Sequence, residues 1–91
     1  LELMLSRLHE RGVRDLMVEG GGETIFSFFE SGLVDRYMVF VGSMIVGGRG
    51  SPTPADGDGL PEDRPVRLRL AGCRRLGDGV LLTYEVGHGA P

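Results

Sequence analysis

The chain has 91 residues and a mass of 9.8 kDa, so it forms one domain at most. Its 41% hydrophobic and 25% charged residues exclude wholesale disorder. The net charge of −3 argues against a nucleic-acid-binding protein. No apolar run is long enough to span a bilayer, and nothing resembles a signal peptide. The single cysteine excludes an internal disulfide framework and fits a reducing compartment.

The chain begins at once in a helical pattern. Leu1, Met4, Leu5 and Leu8 recur at the spacing of one helix face, and Gly12 stands where a left-handed residue would end the helix. No capping residue precedes this helix. We therefore expect the chain to be a fragment of a longer protein.

A strand and a glycine-rich turn are predicted next. Residues 13–18 end in an apolar run, which is typical of a strand buried on both faces. Glu19 and the glycine turn (residues 20–22) follow, and a second helical pattern begins at Glu23 and is ended by Gly32. The order of helix, strand, glycines and helix indicates α/β architecture.

The second half of the chain predicts strands around a long loop. Residues 37–46 predict a long strand, in which Gly42 indicates a bulge or a close backbone approach. Residues 49–63 are dense in Gly, Pro and Asp, and a loop of this length is either functional or disordered. Alternating apolar residues over 66–70 and 80–86, separated by a Gly-Asp-Gly turn, predict a closing antiparallel hairpin. The whole pattern predicts a mixed sheet flanked by helices.

The glycine turn is a candidate anion cradle. A helix start presents unpaired N–H groups and a partial positive charge, and glycines let a phosphate approach the backbone closely. Thr24 and Ser27 would add hydroxyl donors. The alternative is a plain tight turn, and the carboxylate of Glu23 competes with a phosphate for the same donors. The turn matches neither the full dinucleotide fingerprint nor the P-loop.

Glu19 is a candidate ligand-binding residue because it follows a predicted strand, and α/β sheets gather ligands at the carboxyl ends of their strands. Its carboxylate would accept hydrogen bonds from an amino-bearing heterocycle or orient a sugar hydroxyl. A helix-capping or solvent-facing acid is the alternative.

Four ordered landmarks resemble the C-terminal half of the riboflavin-biosynthesis reductases. They are M-V-E-G-G-G at residues 17–22, F-F at 28–29, G-L-V-D at 32–35 and G-G at 47–48. The segment P-T-P-A-D-G-D-G at residues 52–59 is similar to the stand-alone archaeal members, which are 2,5-diamino-6-ribosylamino-pyrimidinone 5′-phosphate reductases. The resemblance covers nearly the whole chain and extends to the reductase domain of the bacterial bifunctional deaminase/reductase.

The resemblance implies a dihydrofolate-reductase-like fold, of which residues 1–91 are a single domain or the C-terminal part. It implies NADPH-dependent reduction of the ribosyl group of a phosphoribosylamino-pyrimidine to a ribityl group, by a cytoplasmic homodimer that binds neither nucleic acid nor membrane. Glu19 would contact the substrate, whereas no catalytic residue is assigned. The residues that would contact the cofactor are Gly20, Gly21, Gly22, Glu23, Thr24 and Ser27.

Two other functions remain open: another NADPH-dependent reductase of the dihydrofolate reductase type, and a non-catalytic nucleotide-binding or dimerisation module. His9 and His88 have no partners at metal-ligand spacing, so no metal is predicted. Cys73 is expected to be a small buried residue on a strand face. Arg67 and Arg69 share a strand face that is expected to face water.

Overall fold

The computed structural model describes residues 1–87. The prediction that His88 is not a metal ligand falls on residues 88–91 and lies outside this part. The elements within it are α1 (Glu2–Glu10), α2 (Gly22–Glu30), β1 (Arg36–Val41), β2 (Leu68–Leu76) and β3 (Gly79–Val86). The three strands form one sheet in the order β1-β3-β2, and both ladders are antiparallel. The central strand is therefore the last one in the sequence.

Both helices end at a glycine in the left-handed region, as the sequence predicts. Gly12 follows α1 with φ +92°, and Gly32 follows α2 with φ +70°. At the end of α2 the amide of Gly32 donates to the carbonyl of Phe29 at 3.1 Å, and the amide of Leu33 donates to the carbonyl of Phe28 at 3.0 Å. This pair of bonds is the Schellman motif, which satisfies carbonyls that the helix leaves unpaired.

The predicted hairpin is confirmed and is closed by a two-residue turn. Leu76 pairs with Gly79, so Gly77 and Asp78 occupy the two central positions. Gly77 has φ +60°, whereas Asp78 has a negative φ, which matches a type II′ turn. Because this turn follows the twist of the flanking strands, it fixes the register of β2 against β3.

Helix α2 supplies the buried side chains and contacts the sheet through an aromatic pair. Phe26, Phe28 and Phe29 are only 7–9% exposed. The ring of Phe29 lies edge-on to that of Tyr37 in β1, with 5.2 Å between the centroids. Tyr37 is paired with Tyr84 of β3. Burial, with Tyr84 as a second cause, raises the pKa of Tyr37.

The predicted strand at residues 13–18 is not formed. This segment belongs to no ladder, and its apolar side chains Leu16 and Met17 are 49% and 76% exposed. A strand needs a neighbour to pair with its backbone groups, and no strand among residues 1–87 provides one. Because residues 13–18 add no strand, the sheet within residues 1–87 contains only antiparallel pairings and is not mixed.

The other strand boundaries also differ from the pattern. β1 ends at Val41, before Gly42, and the irregularity in the sheet lies instead between Leu70 and Gly72 of β2. The expectation that Cys73 is buried is wrong, because Cys73 lies on outer strand β2 and is exposed. Alternation reports which side chains share a face, but it does not report whether another layer covers that face.

Gly32 provides a test of the helix ending. We expect Gly32→Ala to lower the free energy of unfolding by about 1–2 kcal/mol, because a Cβ is strained in the left-handed region. No atom lies within 4 Å of that Cβ, so the loss would arise from the backbone alone. Urea unfolding of this variant is to be compared with Ser31→Ala, whose residue has φ −81° and is expected to change stability by less than about 0.5 kcal/mol. Equal stability of the two variants would contradict the account of the cap.

Candidate functional site

The glycine turn forms the start of α2 and is open on one side. Gly21 is the N-cap residue, and no side chain accepts a hydrogen bond from the amides of the first helical turn. Gly20 and Gly21 are exposed, and a Cβ added to Gly21 would find no atom within 4 Å. The positive end of the helix dipole and its N–H groups are therefore accessible on this side.

The structure brings part of the predicted cofactor set together. A Cβ added to Gly20 would lie 3.9 Å from the methyl group of Thr24, so these two residues are neighbours. The hydroxyl of Ser27 donates to the carbonyl of Glu23 at 3.0 Å, one helical turn earlier. All four residues are exposed. The predicted cofactor contacts at Gly20, Glu23, Thr24 and Ser27 thus border the open side of the turn and stay a prediction.

Glu19, the predicted substrate residue, precedes the glycine turn and is exposed. Its carboxylate takes part in no hydrogen bond or ion pair with the residues that the structure describes. It is therefore able to accept hydrogen bonds from a ligand at the start of α2. Its role as a substrate residue also stays a prediction.

The opposite side of the glycine turn is closed by a clamp segment, residues 53–57 of the long loop. The amide of Asp56 donates to the carbonyl of Gly22 at 3.0 Å. A Cβ added to Gly22 would lie 2.6 Å from the carbonyl oxygen of Thr53 and 2.8 Å from the carboxyl carbon of Asp56. Only glycine leaves room for this approach. Gly22 is therefore required for packing, whereas Gly21 is open to solvent.

The clamp segment is folded by the carboxylate of Asp56. Its Oδ1 atom accepts two hydrogen bonds from Thr53, one from the amide at 2.8 Å and one from the hydroxyl at 2.5 Å. These bonds to the side chain and backbone of Thr53 hold the pKa of Asp56 below its usual range. The carboxylate is consequently ionised at neutral pH and lies beside the first residue of α2.

A second glycine lets the clamp segment cover the aromatic core. Gly57 has φ +113°, and a Cβ added there would lie 2.7 Å from the ring of Phe26. Phe26 follows Gly22 by four residues, so both lie on the same face of α2. The clamp segment thus contacts this helix face over its first two turns.

The clamp contact is the feature that sequence reasoning missed. Residues 49–63 are assigned correctly as a loop, but the periodicity of the chain carries no information about what the loop touches. One local signal was present: Thr53 and Asp56 have the threonine-x-x-acid spacing of a capping box. That spacing indicates a hydrogen-bonded turn rather than a disordered stretch.

Residues 1–87 contain neither a cluster of metal ligands nor a membrane-spanning helix. No group of three His, Cys, Asp or Glu side chains in this part is arranged to hold a metal ion. Its helices have nine residues each, and neither has the length and apolar character needed to cross a bilayer.

Solved structures with the same fold define the class of domain. The RibD of Acinetobacter baumannii superimposes with a TM-score of 0.80 at 17% identity, over 94% of this chain and 24% of that protein. A pyrimidine reductase-like protein from Corynebacterium diphtheriae gives 0.80 at 21% identity, over 96% of this chain and 35% of that protein. The chain therefore has the α/β architecture of these proteins, which confirms the expected dihydrofolate-reductase-like fold class.

Sequence comparison then gives the family. The family model described as the RibD C-terminal domain matches residues 1–82, and the chain belongs to this family. It is 41% identical over 87 residues to the 2,5-diamino-6-ribosylamino-4(3H)-pyrimidinone 5′-phosphate reductase of Methanothermobacter thermautotrophicus. It is 40% identical over 83 residues to the reductase of the same name from Archaeoglobus fulgidus.

These matches cover most of this chain but a smaller part of each relative. They span 94% and 91% of the chain, but only 40% and 36% of the two archaeal proteins. The RibD protein of Actinobacillus pleuropneumoniae is 36% identical over 94% of the chain and 23% of its own length. The family match at residues 1–82 includes both the glycine turn and the clamp segment.

Gly57 and Gly59 form a matched pair that tests the clamp contact. Both have a positive φ, but a Cβ at Gly57 would overlap the ring of Phe26, whereas a Cβ at Gly59 would meet no atom within 4 Å. We expect Gly57→Ala to destabilise the protein by about 1–3 kcal/mol more than Gly59→Ala does, because overpacking adds to the same backbone strain. Urea unfolding measures the difference. Equal losses for the two variants would mean that the clamp segment does not pack on Phe26.

Proposed function

We propose that the chain is the C-terminal part of a dihydrofolate-reductase-like reductase domain. In this proposal the domain uses NADPH to reduce the ribosyl group of a phosphoribosylamino-pyrimidine to a ribityl group, in riboflavin biosynthesis. The observation that carries it is the open glycine turn at the start of α2. Support comes from the two archaeal relatives at about 40% identity, which are named as reductases of such a pyrimidine phosphate.

The open side of the glycine turn suits a pyridine dinucleotide. Gly20 and Gly21 are exposed, and a Cβ at Gly21 would meet no described atom within 4 Å, so the phosphate oxygens of NADPH would approach the backbone closely there. Thr24 would add a hydroxyl donor from the exposed face of α2. The hydroxyl of Ser27 donates to the carbonyl of Glu23 in this structure, so it would have to give up that bond to donate to the cofactor. Gly22 would support the site by holding the turn against the clamp segment. Glu23 would lie at the edge of the site.

The reaction converts the anomeric carbon of the sugar, in its open-chain imine form, to a methylene group by addition of a hydride and a proton. When bound, NADPH supplies the hydride. The protein has to hold the two ligands at reacting distance and to keep water away from the imine carbon. Glu19 would orient the substrate by accepting hydrogen bonds from its hydroxyl or amino groups, because its carboxylate is exposed next to the glycine turn.

We further propose that the enzyme is a homodimer in the cytoplasm. The single cysteine fits a reducing compartment. Residues 44–46 are apolar and 79–97% exposed, and contiguous apolar surface of this kind is typical of protein contacts. Analytical ultracentrifugation of the full-length protein tests the dimer.

Gly21 is the sharpest test of the cofactor site because a side chain there would enter open space. In the full-length protein we expect Gly21→Val to raise the Kd for NADPH by about 10-fold or more, since the valine would occupy the position of a phosphate. Stability in urea should change little. Gly50→Val is the control, because Gly50 also lies in open space but outside the glycine turn. If the Gly21 variant lost affinity for NADPH and stability in urea to the same extent, the glycine turn would have only a structural role.

The same titration separates the alternative functions. Wild-type protein that fails to bind NADPH at millimolar concentration would be a non-catalytic module. If NADPH binds, the diaminopyrimidine ribosylamine phosphate and dihydrofolate are offered in turn, and the absorbance of NADPH reports which of them is reduced. Consumption with dihydrofolate alone would reassign the enzyme to the dihydrofolate reductase type.

Glu19 provides a test of the substrate role. We expect Glu19→Gln to lower kcat by about 10-fold, because hydrogen bonds to an ionised acceptor are stronger than those to a neutral one. The Kd for NADPH should stay within about twofold of the wild type. Glu62→Gln, an exposed acid in the loop, is the matched control. If the Glu19 variant had wild-type turnover, Glu19 would not be part of the substrate site.

A further inference from the structure

The clamp segment determines which side of the glycine turn a ligand can reach. It contacts Gly22 through the carbonyl of Thr53 and the carboxylate of Asp56, and it contacts Phe26 at Gly57. On the other side Gly20 and Gly21 are exposed. One face of the helix start is thus covered by the chain itself, and only the other face is available to a phosphate.

The position of the glycine turn depends on this cover. Gly20 and Gly21 precede the helix in a segment that belongs to no ladder, so no strand pairing fixes them. The adjoining Gly22 is the first residue of α2, and outside the helix it is held by the hydrogen bond from the amide of Asp56 to its carbonyl and by the packing of the Asp56 carboxyl group. The carbonyl of Gly21 accepts a hydrogen bond from the amide of Ile25 at 3.1 Å, which ties it to α2. Glycine has the largest backbone freedom of any residue, so the contact at Gly22 removes freedom that this single bond leaves to the turn.

Asp56 is the residue on which the clamp segment itself depends. Its Oδ1 atom accepts both hydrogen bonds from Thr53 and so folds residues 53–56 into a turn. That turn presents the amide of Asp56 and the carbonyl of Thr53 to Gly22. Loss of the acceptor would leave the amide and hydroxyl of Thr53 without their partner and would release the turn.

We propose that Asp56 is a positioning residue, which folds the clamp segment against Gly22 and thereby fixes the amides of Gly20 and Gly21 in the arrangement that receives the cofactor phosphates. This inference rests on the proposed function for the identity of the ligand. Asp56 acts through Gly22 and does not contact the cofactor. Its effect is therefore on the affinity for NADPH and on the order of the glycine turn, and not on the rate of hydride transfer.

The test uses Asp56→Ala, Asp56→Asn and Asp58→Ala in the full-length protein. Asp56→Ala should raise the Kd and KM for NADPH by about 10-fold, with kcat within about twofold, because a displaced site loses binding geometry. Asp56→Asn keeps an oxygen at the same position and should restore the affinity to within about threefold of the wild type. Asp58→Ala is the control, since Asp58 lies in the same loop, is exposed and forms no hydrogen bond or ion pair with the described residues. Wild-type affinity in Asp56→Ala, or no rescue by asparagine, would overturn the proposal.

Amide hydrogen exchange of the cofactor-free protein tests the positioning role of Asp56 separately from the proposed function, because it does not depend on NADPH binding. The amide of Ile25 and the amide at position 56 donate to the carbonyls of Gly21 and Gly22, and their protection should fall about 10-fold in Asp56→Ala relative to the wild type. The amides of β3 should be unchanged. If the wild type does not bind NADPH, the proposed function fails, and faster exchange at the amides of positions 25 and 56 still supports the positioning role. Unchanged exchange would overturn it in either case.

A second pair of variants covers the possibility that Asp56→Ala does not fold. Thr53→Val removes the hydroxyl donor but keeps the amide donor, and Thr53→Ser keeps both. We expect Thr53→Val to accelerate exchange of the amides of Ile25 and Asp56 by about threefold and Thr53→Ser to leave it unchanged. Equal exchange in the two variants would contradict the role of the Thr53–Asp56 turn.

Discussion

The arrangement of the site depends on the aromatic packing of one helix. Within residues 1–87 the buried hydrophobic side chains are Phe26, Phe28 and Phe29, and all three belong to α2. Phe29 contacts the sheet through Tyr37, and Phe26 contacts the loop at Gly57. Burial of a phenylalanine stabilises a protein by about 1.5–3 kcal/mol, so these rings anchor α2 between the sheet and the loop. Because the glycine turn is continuous with this helix, its location follows from the same packing.

The two sides of the helix start differ in both shape and charge. On the closed side the carboxylate of Asp56, whose pKa is lowered by its hydrogen bonds from Thr53, lies next to Gly22. On the open side a Cβ at Gly21 would meet no described atom within 4 Å, and the carboxylate of Glu23 lies in the same helical turn. An anion that binds here is therefore held by backbone N–H groups at short range rather than by a broad positive field. This kind of binding requires a turn whose geometry is fixed in advance.

The sequence predicted those features that are encoded locally. The glycines after each helix, the Gly-Asp hairpin turn and the alternation of β3 all follow from backbone preferences and side-chain period. The glycine turn was found in the same way. The failures involve contacts between distant parts of the chain. Residues 13–18 have the composition of a strand but no pairing partner within residues 1–87, and Cys73 follows the alternation of a strand but lies on an exposed face. The contact between Gly22 and Asp56 joins residues 34 positions apart, and no periodicity reports it.

The type II′ turn at Gly77 and Asp78 has a consequence for the order of folding events. It joins β2 and β3 through two residues, whereas β1 reaches its partner β3 only after the 37 residues between Val41 and Gly79 have closed into a loop. Hairpins form within about 1–10 μs, and long-range closure is slower because of its entropy. We expect the hairpin to act as the template on which β1 docks. The length of the intervening loop should then alter the folding rate more than the final stability, since each doubling of a loop costs only about 0.6 kcal/mol.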